Sequence, residues 1–417
     1  LADAGGAERC ADPIALAGEV GSLATPELRA IDQQIEAAAI HARAATARAV
    51  ALAEQAAGAA RASGDPHLLA RALLVLGHAH MNSGERVAAI APLREAMRLA
   101  LANDQDELMA EAYARHAFVY GRTHPDDRLG GLDGLELVEI IGQRARERGA
   151  FARALLANNV GSVVALAGDL DRARESFRRA SAEAAAVRGP GAVELLTAVS
   201  NLAMYTADPA ERARLYAEAA AAVTAAVGPD HPDALSRQLQ AIAERVDARA
   251  VVTELAALCP RAARLHPTLT EVIGVCAFEQ AWQATAIGAG ERALEAARLI
   301  PPGPRVFGQR LIEIYAALAG GGATRELAGE LERLVDAEAS KIGSLGVHRH
   351  VYAADAALAL AATARALGDA ALAGRAAARA IEHLEAVSVA TGVTAGRVQR
   401  RLAWARELRF GGRVRGQ

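Results

Sequence analysis

The chain has 417 residues, more than one compact core of ordinary size holds, so it suits two or three domains or one elongated array. Hydrophobic residues make up 52% of it but aromatic residues only 3%, and alanine dominates the rest, which excludes a bulky aromatic core and favours closely packed helices. A net charge of −3 leaves no basic excess to grip a phosphate backbone, so nucleic acid is excluded as a partner.

The chain opens on Leu1, with no basic stretch leading into an apolar core. This start does not read as a signal peptide and suggests a processed product or a piece of a longer protein. Residues 1–40 read as a lead-in and a helix, 41–410 as one array, and 411–417 as a disordered tail. No uncharged run of 18 apolar residues occurs, so no direct membrane insertion is expected. Helical spacing of Ala, Leu, Arg and Glu runs through the array, broken at 62–66 (ASGDP), 123–127 (THPDD), 188–191 (RGPG), 227–233 (VGPDHPD), 300–304 (IPPGP) and 319–323 (AGGGA). The segments between breaks can each hold two antiparallel helices.

One spacing recurs inside these segments. Gly77, Gly84, Ala89, Leu93 and Ala96 share their offsets with Gly161, Gly168, Ala173, Phe177 and Ala180. Ala361, Gly368, Ala373, Ala377 and Ala380 repeat them, as do Ala281, Gly288, Ala293 and Ala297, and a shortened copy has Ala203, Ala213, Ala217 and Ala220. The period is close to 40 residues, with weaker copies expected near 131, 250 and 330 and an extra helix pair near 40–60. Small residues such as Gly161 and Ala173 would let two helices approach, Gly168 would end the first, and Phe177 would plug the gap between neighbouring hairpins. No such hairpin buries its face alone, so the fold class expected is all-α: a right-handed superhelix of eight or nine hairpins, an α-solenoid.

The pattern resembles the tetratricopeptide repeat (TPR) family. Val160–Gly161 with Gly168, Ala173, Phe177 and Ala180, and Leu76–Gly77 with Gly84, Ala89, Leu93 and Ala96, carry the resemblance best. The period exceeds the usual TPR length of about 34 and is similar to the long repeats of kinesin light chains, whose inter-repeat loops resemble VGPDHPDAL at 227–235. Such superhelices bind proteins or peptides on a concave face, and the resemblance places Asn159 and Asn201 there, with Asn158 and Ser200 beside them. An amide suits an extended peptide because it both donates and accepts; equally, these asparagines could bond a neighbouring helix. Arg71, His78, Arg115, Phe118, Glu279 and Trp282 hold matching positions in other copies, and Trp282 reads either as an anchor or as core.

The segment AERCADPIALAGEV at 7–20 resembles the stretch before the TPR region of large bacterial, especially myxobacterial, serine/threonine protein kinases. Lys341 is the sole lysine among 46 basic residues, in keeping with a GC-rich bacterial genome. No kinase motif is present, so the resemblance implies the non-catalytic half of such a protein, facing the cytoplasm, or the outside if it follows a membrane span.

Chemistry is sparse. Cys10, Cys259 and Cys276 have no CxxC spacing, so no zinc site and no disulfide framework is expected; three cysteines leave room for one bond plus a free thiol, or for a partner outside the chain. His78 and His80, and likewise His348 and His350, stand two apart, which separates them on a helix, and no HExxH occurs. His231 reads as shaping its turn. GxSxG, P-loop and GxGxxG motifs are missing. The chain is therefore expected to be a non-enzymatic binding scaffold with no cofactor and no metal. Its partner would be a protein or peptide, an intramolecular kinase domain, or a second copy in a homodimer. The alternatives are a regulatory TPR segment of a signalling ATPase or transcription regulator, an enzyme on an α/α scaffold, and a self-associating array.

Overall fold

The computed structural model describes residues 25–410 except 45, 146–148, 186, 188–193, 268–269, 301–307, 341–346 and 392–394. Cys10 and the 7–20 segment, the breaks at 188–191 and 301–304, His348 and the 411–417 tail lie outside the described residues or side chains. Among the described residues the chain is all-α, with nineteen α-helices, one 3-10 turn and no strand.

The helices divide into two compact units that meet between Leu202 and Ala203. Unit 1 contains α1 (Pro26–Arg43), α2 (Ala49–Ser63), α3 (Pro66–Ser83), α4 (Arg86–Ala102), α5 (Asp106–Thr123), the 3-10 turn Arg128–Leu132, α6 (Leu135–Arg144), α7 (Ala150–Leu166) and α8 (Leu170–Ala184). Helix α9 (Thr197–Tyr205) straddles the division. Unit 2 contains α10 (Pro209–Val227), α11 (Pro232–Ala243), α12 (Ala248–Leu265), α13 (Thr270–Ala286), α14 (Gly290–Arg298), α15 (Gln309–Ala319), α16 (Arg325–Ala339), α17 (Val347–Ala366), α18 (Ala370–Thr391) and α19 (Gly396–Phe410). Helices thus occupy the regions around 40–60, 131, 250 and 330 where the weak copies were expected.

Local chemistry sets the helix ends. Asp65 caps α3 by accepting from His67 N at 2.9 Å and Leu68 N at 3.0 Å, ahead of Pro66 at the first helical position. Asp169, Asp208, Asp247, Thr324 and Asp369 cap their helices in the same way. His231 shapes its turn as expected: its Nδ1 accepts from Asp233 N at 3.2 Å and so caps α11. Gly84 and Gly168 end α3 and α7 at φ +89° and +92°, a conformation cheap for glycine alone, and Gly288 and Gly368 do so at +74° and +78°.

Packing explains the paired small and large residues. A Cβ on Gly77 would stand 2.5 Å from Leu93 Cγ, and one on Gly161 would stand 2.8 Å from Phe177 Cε1. Leu93 and Phe177 therefore rest on the glycine of their own hairpin, α3/α4 and α7/α8. Phe177 was expected to plug a gap between hairpins; its ring instead seats within one. Where Ala281 and Ala361 replace the glycine, the facing position is also alanine, so bulk is exchanged across the pair. Ala89, Ala173, Ala293 and Ala373 are all buried, as their common position requires.

The copy at 201–220 departs from this register. Ala203 and Ala220 are buried as expected, but Ala213 is half-buried and Ala217 exposed, while Arg212 and Tyr216 face inward, one residue earlier in the repeat. Arg212 can be buried because Glu244 accepts from its Nε at 2.9 Å and the Thr206 carbonyl from its Nη1 at 3.0 Å.

Two long-range features tie unit 2 together. Cys259 on α12 and Cys276 on α13 form a disulfide. Helix α19 returns to the start of the unit: Gly396 N donates to Glu244 Oε2 at 2.8 Å, and Arg400 Nη2 donates to the Ala243 carbonyl at 2.9 Å. Gly396 lies so close to Glu244 that a Cβ there would run into the Glu244 backbone. No helix among the described residues is long and apolar enough to cross a membrane.

Candidate functional site

The asparagines form a chain of amides across three helices of unit 1. Asn201 Nδ2 on α9 donates to Asn158 Oδ1 on α7 at 2.9 Å. Asn158 Nδ2 donates to Asn159 Oδ1 at 3.2 Å, and Asn159 Nδ2 donates to the Ala114 carbonyl on α5 at 3.0 Å. Asn158 and Asn159 are buried and Asn201 half-buried. The structure thus brings three of the expected site residues together and engages them in bonds to neighbouring helices. Ser200 is buried beside them, its Oγ without a hydrogen-bond partner among the described residues.

Arg115 and His78 join a second polar cluster. The Arg115 guanidinium is buried and forked between Glu111 on its own helix, at 2.8 Å, and Glu194, at 2.8 Å. Burial alone would lower the Arg115 pKa, but the two carboxylates raise it above the usual arginine range. Burial works against the Glu194 anion too, yet Arg115 holds that carboxyl below its ordinary value. His78, pushed down to about 3 by burial and then by Arg115, is neutral and accepts at Nε2 from Asn82 Nδ2 at 2.9 Å. Phe118 is half-buried with the Arg122 guanidinium 4.8 Å from its ring centre. Arg71 pairs with Asp32 and Glu36.

Trp282 belongs to a third cluster, inside unit 2. It is 1% exposed and packs against Trp404 with ring centres 6.2 Å apart, so it is core, unavailable as a groove anchor unless the helices part. Its Nε1 donates to Glu279 Oε2 at 3.1 Å, and Gln283 Nε2 donates to the same oxygen at 3.1 Å. Arg401 of α19 lies 4.4 Å from the Trp282 ring centre and bridges two buried carboxylates: Nη2 donates to Glu279 Oε1 at 3.1 Å and Nε to Asp355 Oδ1 at 2.6 Å. Burial pushes the Asp355 carboxyl up to about 6 despite Arg401, whereas Arg401, Arg400 and Arg397 outweigh burial at Glu279 and hold it low.

A cavity of about 150 Å3 opens over this cluster. Buried Phe278, Glu279, Asp355 and Arg401 form its floor; half-buried Val275, Val351 and Tyr352, with exposed Arg397, form its rim. Sequence reading reached Glu279 and Trp282 but missed Asp355, Arg397 and Arg401. The available signal was Arg400–Arg401 one turn before Trp404, a charged pair on the apolar side of a helix. Among the described residues no group of three His, Cys, Asp or Glu side chains is placed to hold a metal.

No family model matches the chain, and no curated protein matches it. Among solved structures it is similar to a circular tandem repeat protein with novel repeat topology and enhanced subunit contact surfaces, at 15% identity, covering 91% of this chain and 94% of that one, with a TM-score of 0.20. A likeness of that strength adds nothing to the fold, which rests on the helix packing described above.

Proposed function

We propose that the chain is a non-catalytic recognition scaffold: a right-handed superhelix of nine TPR-like hairpins, from α1/α2 to α17/α18, followed by α19, which recruits a protein or peptide partner. The observation that carries this reading is one packing device used twice, Gly77 under Leu93 and Gly161 under Phe177, each with a left-handed glycine seven residues after the first. Hairpins built this way stack side by side and leave one face of each first helix for a ligand. Half-buried Asn201 and Phe118 are the contact candidates, because Asn158, Asn159 and Arg115 are buried. The resemblance of 7–20 supports placing the scaffold beside a bacterial serine/threonine kinase domain, as its sensor or recruiting half.

Affinity capture from a lysate of the source organism tests the reading, comparing the intact chain with an Asn201→Ala/Phe118→Ala variant of unchanged melting behaviour. The expected result is a protein retained by the intact chain and reduced at least tenfold with the variant. A partner held equally by both, or none, overturns groove recognition. The coding sequence upstream of Leu1 tests the kinase association: a domain with HRD and DFG motifs is expected there.

A further inference from the structure

The cavity in unit 2 takes no part in the recognition reading, and its lining has a definite chemistry. The uncharged part of its lining is aliphatic and aromatic: Val275, Phe278, Val351 and Tyr352. The charges of its floor are already matched. Glu279 receives Arg401, Trp282 and Gln283, and Asp355 receives Arg401. Arg400, at 3.9 Å from Glu279 from behind, brings the floor to two cations against two carboxylates. The remaining charge in the lining is Arg397 at the rim, and its guanidinium makes no hydrogen bond and no ion pair among the described residues. The cavity therefore presents apolar walls over a charge-matched floor, beside one excess positive charge.

We propose that this cavity is a binding site for a small organic monocarboxylate with a compact apolar body. Arg397 receives the carboxylate in a two-point hydrogen bond, the geometry a guanidinium offers and an ammonium does not. The body lies between Phe278 and Tyr352, displacing water from their ring faces. Size fits the assignment: an apolar space near 150 Å3 admits a six-membered ring. A dication is disfavoured by Arg397, and a large anion by the volume. The site stands independently of the protein-recruiting face, since its residues belong to unit 2 and the recruiting candidates to unit 1.

Sodium benzoate is the probe, titrated into the full chain by calorimetry or ligand-observed NMR, with benzyl alcohol as its uncharged counterpart and inorganic phosphate as a bodiless anion. Benzoate is expected to bind about tenfold more tightly than either. Arg397→Gln, compared under conditions where its melting curve shows it fully folded, is expected to weaken benzoate at least tenfold and leave benzyl alcohol unaffected. Val351→Trp, which fills the mouth, is expected to abolish both. The proposal is overturned if benzoate fails to bind at millimolar concentration, if Arg397→Gln binds it like the parent chain, or if phosphate binds as well as benzoate.

Discussion

Each unit buries an arginine forked between two carboxylates, and the two forks differ in how dry they are. In unit 1 the Arg115 side chain is 2% exposed, but Glu111 and Glu194 are 23% and 26% exposed. In unit 2 Arg401 is 1% exposed and its partners Glu279 and Asp355 are 6% and 2% exposed. The pairing is the same and the solvent is not. Glu194 keeps its charge easily, while Asp355 is pushed up to about 6. A carboxylate that can reach water tolerates the loss of its cation better than one almost wholly buried at the floor of a narrow cavity.

The largest expected effect follows directly. Arg401→Met strands two buried carboxylates and should cost about 3–5 kcal/mol in urea unfolding. Arg115→Met should cost about 1–3 kcal/mol, because Glu111 and Glu194 can rehydrate. Equal losses would break the comparison. Next, unit 2 has a cross-link: reducing Cys259–Cys276, a separation of 17 residues, should lower its stability by about 3 kcal/mol. Hydrogen exchange read unit by unit should show faster opening in unit 2 and no change in unit 1.

Acidity sharpens the contrast because two buried histidines of unit 1 and Asp355 of unit 2 respond with opposite sign. His78 on α3 and His116, buried on α5, are pushed down by burial, to about 3 and about 4, so below the unfolded value of 6.5 the unfolded chain binds more protons. Their contribution is present above pH 6.5 and is lost as pH falls towards those values. Asp355 is raised from 3.8 to about 6, so its contribution is present below pH 4 and is lost as pH rises to 6. Between pH 4 and 6, Asp355→Asn should make the parent-minus-variant stability fall with rising pH, by about 2–3 kcal/mol. His78→Gln should make it rise, and the same sign for both would contradict the burial argument. The smallest effect concerns packing. Gly161→Ala should destabilise by about 1–2 kcal/mol, since Phe177 must shift although alanine favours the helix. Adding Phe177→Leu should recover part of the loss in a double-mutant cycle.

What could be read from the sequence was local. Glycine after a helix, aspartate or threonine before one and alanine at a fixed offset act within a few residues, so Gly84, Gly168, Ala89 and Ala173 announce their roles. The register of α10 was misread because small-residue matching assumes that alanine, not arginine, turns inward; Arg212 is inside because Glu244, 32 residues away, receives it. The positions of the asparagines were legible, but their partners were not. An amide looks the same whether it awaits a peptide or bonds Ala114. The Arg401 fork was the least legible, since its partner Glu279 lies 122 residues earlier and nothing nearby distinguishes a buried arginine from a solvated one.

The return of α19 to Glu244 bears on how such a chain changes over generations. An array whose units touch only their neighbours can lengthen by duplicating a hairpin, because each new junction copies an old one. Unit 2 lacks that freedom. An extra hairpin between α13 and α17 would carry Glu279 or Asp355 away from Arg401, and one between α11 and α19 would part Gly396 from Glu244. Its inventory of hairpins is locked, and inheritance can vary its side chains far more readily than its length.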